Sequence, residues 1–279
     1  MKLGFTTYGN LAMLDFAKQE GFGCLEFTSL PGYPNMDLVA DLADPGALAD
    51  FKGQIAASGL EVQSIITAVN PMAVEEHKRW LAGLIEVAGK LGIRYVSTTS
   101  GQDPTLSLDD NVKLFGQVYR DLVKLADDSG VGIVFENCLH GYPAGQNIAV
   151  NPETWEKVFN EVDSPTLGLE FDPSHLMFQF IDPVAAAREF ASRIYILHAK
   201  DTEILEEELA WGGLYSLKGY WRFRLPGYGE CDWAGLFQVL REAGFEGNVV
   251  IEHEDPVFHG ELYEQGLRIG KRFLEPFVW

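Results

Sequence analysis

Four short apolar runs in the chain each end on side chains that can hold a cation. Ile133-Val134-Phe135 ends in Glu136-Asn137, and Leu167-Gly168-Leu169-Glu170-Phe171 ends in Asp172-Pro173-Ser174-His175. Ile194-Tyr195-Ile196-Leu197 ends in His198-Ala199-Lys200-Asp201, and Val249-Val250-Ile251 ends in Glu252-His253-Glu254-Asp255. Singly, each has an ordinary structural explanation, since a strand-end carboxylate can cap the next helix and a core histidine is usually just hydrogen-bonded. Together, at the ends of four strands, buried charges must be paired or metal-bound to be tolerable. Glu136, Asp172, His198 and Glu252 are therefore the candidate ligands of one divalent metal. Three carboxylates and one imidazole are hard donors, which select Mn²⁺ first, with Mg²⁺ or Co²⁺ also suited. Four protein ligands leave two octahedral positions, which the adjacent hydroxyl and carbonyl oxygens of a sugar fit, with the ion acting as a Lewis acid.

Such residues need a scaffold that brings strand ends together. One pattern recurs along the chain: an amphipathic helix, a glycine or proline stop, then a β-rich run. It predicts eight strands, at residues 3–6, 24–28, 60–66, 93–98, 133–136, 167–172, 194–198 and 248–252. Glycine past a helix end supplies the left-handed conformation that closes it. Residues 108–126 place Val112, Phe115, Val118, Tyr119, Leu122 and Leu125 at three- and four-residue intervals, which predicts a helix with one apolar face and Ser107 as its cap. Near-continuous apolar strands are those of a parallel sheet buried on both faces. No GxGxxG follows the first strand and no P-loop lysine is present, so a nucleotide-binding open sheet loses support. The expected fold class is α/β, a (β/α)8 TIM barrel, as a single domain over residues 1–279. Its chemistry belongs at the C-terminal ends of the strands.

Composition narrows the partners. The formal net charge of -20 repels nucleic acid and anionic membranes and favours cations and neutral ligands, although most of it serves solubility. Hydrophobic residues make up 47% of the 279, which excludes disorder as a class. No window approaches the roughly 18 apolar residues of a membrane span, and the N-terminus reads as a strand rather than a signal peptide. Cys24, Cys138 and Cys231 are odd in number and scattered, which argues against a disulfide framework and suits a cytoplasmic location. Self-association into a homo-oligomer is compatible with all of this.

The chain resembles the sugar phosphate isomerase/epimerase superfamily with the xylose isomerase-like barrel, in the branch of ketose 3-epimerases and inosose dehydratases. The motifs that carry the likeness are Phe135-Glu136-Asn137, Phe171-Asp172-Pro173-Ser174-His175, His198-Ala199-Lys200-Asp201, Leu225-Pro226-Gly227-Tyr228-Gly229-Glu230 with Asp232-Trp233, and Ile251-Glu252-His253-Glu254-Asp255-Pro256. The resemblance implies that Glu136 and Glu252 also serve as the acid/base pair and that His175 approaches a substrate oxygen. It further implies proton abstraction next to a carbonyl through an enediolate, giving a sugar isomerase or epimerase. The alternative is a lyase that uses the same enolate to dehydrate a keto-inositol or open a 3-keto-glycoside. An abasic-site endonuclease ranks low, because the chain has only six histidines and is strongly acidic. A two-metal aldose isomerase would need a second site from Asp201, Glu254 or Asp255.

After the seventh predicted strand, residues 202–230 form a loop of about thirty residues, long enough to expect function. Trp211, Tyr215, Tyr220 and Trp221 could stack on a sugar ring, and Arg222 and Arg224 supply forks of donors for substrate. A lid over the metal is one expectation; packing against the barrel or a second subunit is the other. Asn137 completes the expected substrate contacts, with Lys200, His140 and Asn147 as weaker candidates. Glu26 either reaches the pocket or forms an ion pair, while Asn70 and Thr98-Thr99-Ser100 suit turns and caps.

Overall fold

The computed structural model describes residues 1–9, 11–139 and 146–279. Its barrel strands are β1 (Leu3–Tyr8), β2 (Cys24–Thr28), β3 (Glu61–Thr67), β4 (Tyr95–Thr98) and β5 (Gly132–Glu136). They continue with β6 (Leu167–Phe171) and β7 (Ile194–Ala199). A two-stranded insertion follows, β8 (Asp201–Ile204) and β9 (Trp221–Arg224), and β10 (Asn248–Ile251) is the last barrel strand. Eight of these close into a barrel in the order β1-β10-β7-β6-β5-β4-β3-β2, with helices between, as the alternating pattern predicts. The predicted strand positions agree to within two residues at every end; β1 runs two residues further, to Tyr8, and β4 starts two residues later, at Tyr95.

By its contacts the chain comprises two compact units, Thr6–Glu170 and Met1–Phe5 with Phe171–Trp279. In the first, β2 through β6 pair in parallel, and β2 shifts register between Leu25 and Glu26. Phe115, Tyr119 and Phe135 pack edge and face at centroid distances of 4.3–5.6 Å, so the helix Leu108–Ser129 is fixed against β5. Ser107 caps that helix by accepting the Asp110 N–H at 3.2 Å, as expected. The helix runs one turn past the predicted end because Asp127-Asp128-Ser129 is polar and carries no periodic signal; Gly130, at φ 68°, closes it.

Two carboxylates lie wholly buried among the strands of this unit. Glu26 accepts from Thr6 Oγ1 at 3.0 Å and Ser64 Oγ at 2.7 Å, and Glu170 accepts from Ser97 Oγ. Hydroxyl donors on other strands thus offset part of their desolvation. Asn70 plays the expected turn role, accepting from Ala73 N and Gln102 N, both at 3.1 Å.

In the second unit β1 and β7 flank β10 in parallel, with Val250 opposite His198 and Ile251 opposite Ala199. Part of the predicted loop folds as an antiparallel hairpin, β8 against β9, pairing Asp201 with Arg224 and Glu203 with Arg222. β9 alternates aromatic and charged side chains, Trp221-Arg222-Phe223-Arg224, while β8 carries no such pattern. Among the described residues, no helix is long and apolar enough to cross a membrane.

Candidate active site

Asp172 follows β6 directly, and Pro173 at the first helical position starts the short helix Pro173–Met177 there. Asp172 Oδ1 caps this helix, accepting the Ser174 N–H at 2.8 Å. The cap fixes the carboxylate plane and turns Oδ2 toward other groups. Oδ2 lies 3.2 Å from Lys200 Nζ, 3.6 Å from His175 Nε2 and 4.0 Å from His198 Nδ1.

His198 and Lys200 are two residues apart at the end of β7, so they share one face. Both are buried. Val250 pairs with His198, which places Glu252 level with Lys200 just beyond the end of β10. Glu252 Oε2 comes within 3.5 Å of His198 Nδ1 and accepts a hydrogen bond from Lys200 Nζ. Lys200 Nζ also donates to Glu254 Oε2 at 2.8 Å and lies 3.2 Å from His175 Nε2. An ammonium has only protons to give, so Nε2 is the accepting nitrogen of His175. Asp172 and His198 are fully buried, whereas 19% of the Glu252 side chain reaches solvent.

The structure therefore brings Asp172, His175, His198, Lys200 and Glu252 together within the second unit. Donor atoms of Asp172, His175 and Glu252 lie within 4.8 Å of one another, a spacing that fits one ion. Carboxylate oxygens with an imidazole nitrogen are the donor chemistry of a divalent-metal site. In the first unit Glu136 ends β5, buried and in register with Glu170, with fully buried Asn137 after it. Asn147 donates to Glu136 O at 3.0 Å and to Cys138 O at 3.1 Å. His140 lies outside the described residues.

The long loop behaves differently at base and tip. At the base, Phe178 stacks on Trp221 at 4.1 Å, and Phe223 stands edge-on to His175 at 5.2 Å, with Lys200 Nζ 4.3 Å over its ring. Tyr220 donates its hydroxyl to Phe178 O at 2.7 Å. The hairpin base is thus packed against the segment after β6. At the tip, on the helix Glu206–Gly212 and just beyond it, Trp211 and Tyr215 are each 93% exposed.

Arg224 is engaged by carboxylates, donating through Nε to Asp255 Oδ2 at 2.9 Å and through Nη1 to Glu203. Arg222 donates to Glu203 Oε2 at 2.8 Å. Burial pushes the Asp255 carboxyl up, but the Leu225 and Val257 N–H groups and Arg224 outweigh it and hold the group below its ordinary value. The Arg222 hydrogen bond, aided by Arg224, does the same for Glu203 against its burial.

The motif Leu225-Pro226-Gly227-Tyr228-Gly229-Glu230 wraps around Asp201. Asp201 Oδ1 accepts from Thr202 N and Cys231 N, both at 2.9 Å; Oδ2 accepts from Gly227 N at 3.0 Å and Trp233 Nε1 at 2.9 Å. A Cβ on Gly229 would stand 2.3 Å from Asp201 Oδ1, which is why the motif has glycine there. Backbone, indole and guanidinium donors thus take up the oxygens of Asp201 and Asp255, and Glu254 accepts from Lys200. Sequence reasoning missed the hub role of Asp201; its signal was an acid directly after Lys200 facing a Gly-rich motif 26 residues on.

Residues 14–275 match the xylose isomerase-like TIM barrel family, and the chain belongs to it. Its relatives include ketose 3-epimerases and inosose dehydratases, the branch that the motifs indicated. An uncharacterized Bacillus subtilis protein, YfiH, is 30% identical over 91% of this chain and 93% of its own length. Inosose dehydratase from Clostridium beijerinckii is 26% identical over 60% of this chain and 55% of its own length. The chain thus matches about half the length of that dehydratase. Among solved structures, the IolI protein with a bound zinc atom superposes with a TM-score of 0.76 at 22% identity, covering 100% of this chain and 98% of that one. The characterised relatives named here are enzymes, and the endonuclease reading finds no support among them.

Proposed function

We propose that this protein is a divalent-metal-dependent isomerase or epimerase of a sugar or sugar derivative, which removes a proton next to a carbonyl. The observation that carries the reading is the convergence of Asp172, His198 and Glu252 around shared oxygens, with His175 and Lys200 against them. Glu136, Asp172, His198 and Glu252 would hold the ion, with Mn²⁺ the expected metal and Mg²⁺ or Co²⁺ acceptable; the zinc atom bound by IolI, which shares the fold, supports a metal-dependent reading. When bound, the ion supplies Lewis-acid polarisation of the substrate carbonyl and stabilises the charge that develops on its oxygen.

The side chains divide the remaining work. Glu252, at the solvent edge, carries the proton to or from the substrate carbon, and Glu136 serves the opposite face. A carboxylate bound to a cation is a weak base through the coordinated oxygen, so the second oxygen of each does this work. Asp172 is held by its helix cap and acts as a fixed anion. His175 donates to or accepts from a substrate hydroxyl, and Asn137 offers an amide beside Glu136. Arg222, more exposed than Arg224, is the arginine able to turn toward substrate, and Trp211 would do so only if the loop tip folds over. Reprotonation of the same carbon on its other face is epimerisation; reprotonation of the neighbouring carbon is isomerisation.

A second reading is favoured by the match to inosose dehydratase. The same carbanion expels water when a hydroxyl sits on the β carbon, which makes the enzyme a lyase. Incubating the Mn²⁺-loaded protein in D2O with a panel of ketoses, keto-glycosides and inososes separates the two. Deuterium at one carbon without elimination supports the epimerase, and growth of an enone absorbance supports the lyase. Neither signal with any member of the panel contradicts both.

A further inference from the structure

Lys200 is the one feature of the cluster that this reading does not require. It is a lysine 1% exposed, with three carboxylates and an imidazole around one nitrogen. Two of those contacts use Asp172 Oδ2 and Glu252 Oε2, the oxygens that face His198. The third, Glu254 Oε2, belongs to a residue with 48% of its side chain in solvent. The aromatic face of Phe223 fixes the ammonium from the side at 4.3 Å. A cation and an ammonium cannot both take the same lone pairs at short range, and like charges in a buried site repel strongly.

We propose that Lys200 is a built-in competitor for the divalent ion: it holds Asp172 and Glu252 together through the oxygens the ion would use, and it shifts onto Glu254 when the ion binds. This inference rests on the metal-site reading above. Lys200 is then a positioning residue that keeps the carboxylates from splaying apart and sets the affinity of the site to an exchangeable range. Glu254 is its second berth, and Phe223 guides it between the two.

The test is Mn²⁺ affinity, read by electron paramagnetic resonance of free Mn²⁺ and by calorimetry, on the full chain. Lys200→Met is expected to bind Mn²⁺ at least about tenfold more tightly than the unaltered protein, because a competing and repelling charge is gone. A lysine that merely props the site open predicts the opposite sign, weaker binding. Lys200→Arg, which keeps the charge, should bind no more tightly than the unaltered protein. Should Lys200→Met fail to fold, Glu254→Gln decides, since its side chain is half exposed: losing the second berth should weaken binding at least about twofold. Unchanged or weaker binding in Lys200→Met, or unchanged binding in Glu254→Gln, overturns the competition. Absence of Mn²⁺ binding by the unaltered protein overturns the metal-site reading itself, and this inference with it.

Discussion

Replacing Asp201 by asparagine tests how the site is held in place. The carboxylate accepts four N–H groups, two on each oxygen, and it directly follows Lys200. Asparagine keeps the shape but turns one oxygen into an NH2, which faces two buried donors with another donor. Each hydrogen bond to a charged group contributes about 1.5–3 kcal/mol, so losing two costs about 3–6 kcal/mol. That is a large part of the roughly 5–15 kcal/mol that holds a domain together. At about 2 °C per kcal/mol for a chain of this size, Tm should fall by about 6–12 °C. Differential scanning calorimetry measures it, and Mn²⁺ stoichiometry should stay at one per chain in whatever fraction is folded. A Tm within about 2 °C of the unaltered protein would refute the hub. A loss of bound Mn²⁺ without a loss of Tm would instead make Asp201 a ligand.

Three further outcomes follow from the same geometry. Gly229→Ala should cost about 1–3 kcal/mol, because its methyl would lie 2.5 Å from Thr202 O as well as against Asp201; urea midpoints read this directly. Asp255 and Glu203 have lowered carboxyl values, so their stabilisation is complete above the unfolded value near pH 4 and is lost as pH falls through the folded one. The acid limb of the Tm–pH curve should therefore be flatter below about pH 4 in Asp255→Asn, and an unchanged limb would show that Arg224 is not anchored there. Trp211→Ala should leave Tm within about 1 °C, since the side chain is 93% exposed, while lowering kcat/KM; an unchanged kcat/KM removes the loop tip from substrate binding.

Much of the barrel was legible because its strands are apolar on both faces and its helices end on glycines such as Gly59, Gly92 and Gly130. The strand-end residues Asp172, His198 and Glu252 were legible for the same reason, as polar residues that interrupt apolar runs. Less visible was anything that depends on a partner distant in sequence. Arg222 and Arg224 read from sequence as donors for substrate, but that Glu203 and Asp255 hold them depends on pairings only the fold creates. Glu170 passed as part of an apolar strand, although it is a buried carboxylate hydrogen-bonded by Ser97, 73 residues earlier. Lys200 could be placed near the site but not in its centre, because only the fold brings Glu254 and Asp172 to the same ammonium.

The most direct test of the metal centre is Mn²⁺ titration of the full chain beside Glu136→Ala and Asp172→Ala, followed by calorimetry with each protein's fold checked by circular dichroism. One ion per chain is predicted for the unaltered protein, with affinity reduced at least about a hundredfold in both folded variants. Either variant holding Mn²⁺ at full affinity would contradict the assignment of its residue as a ligand.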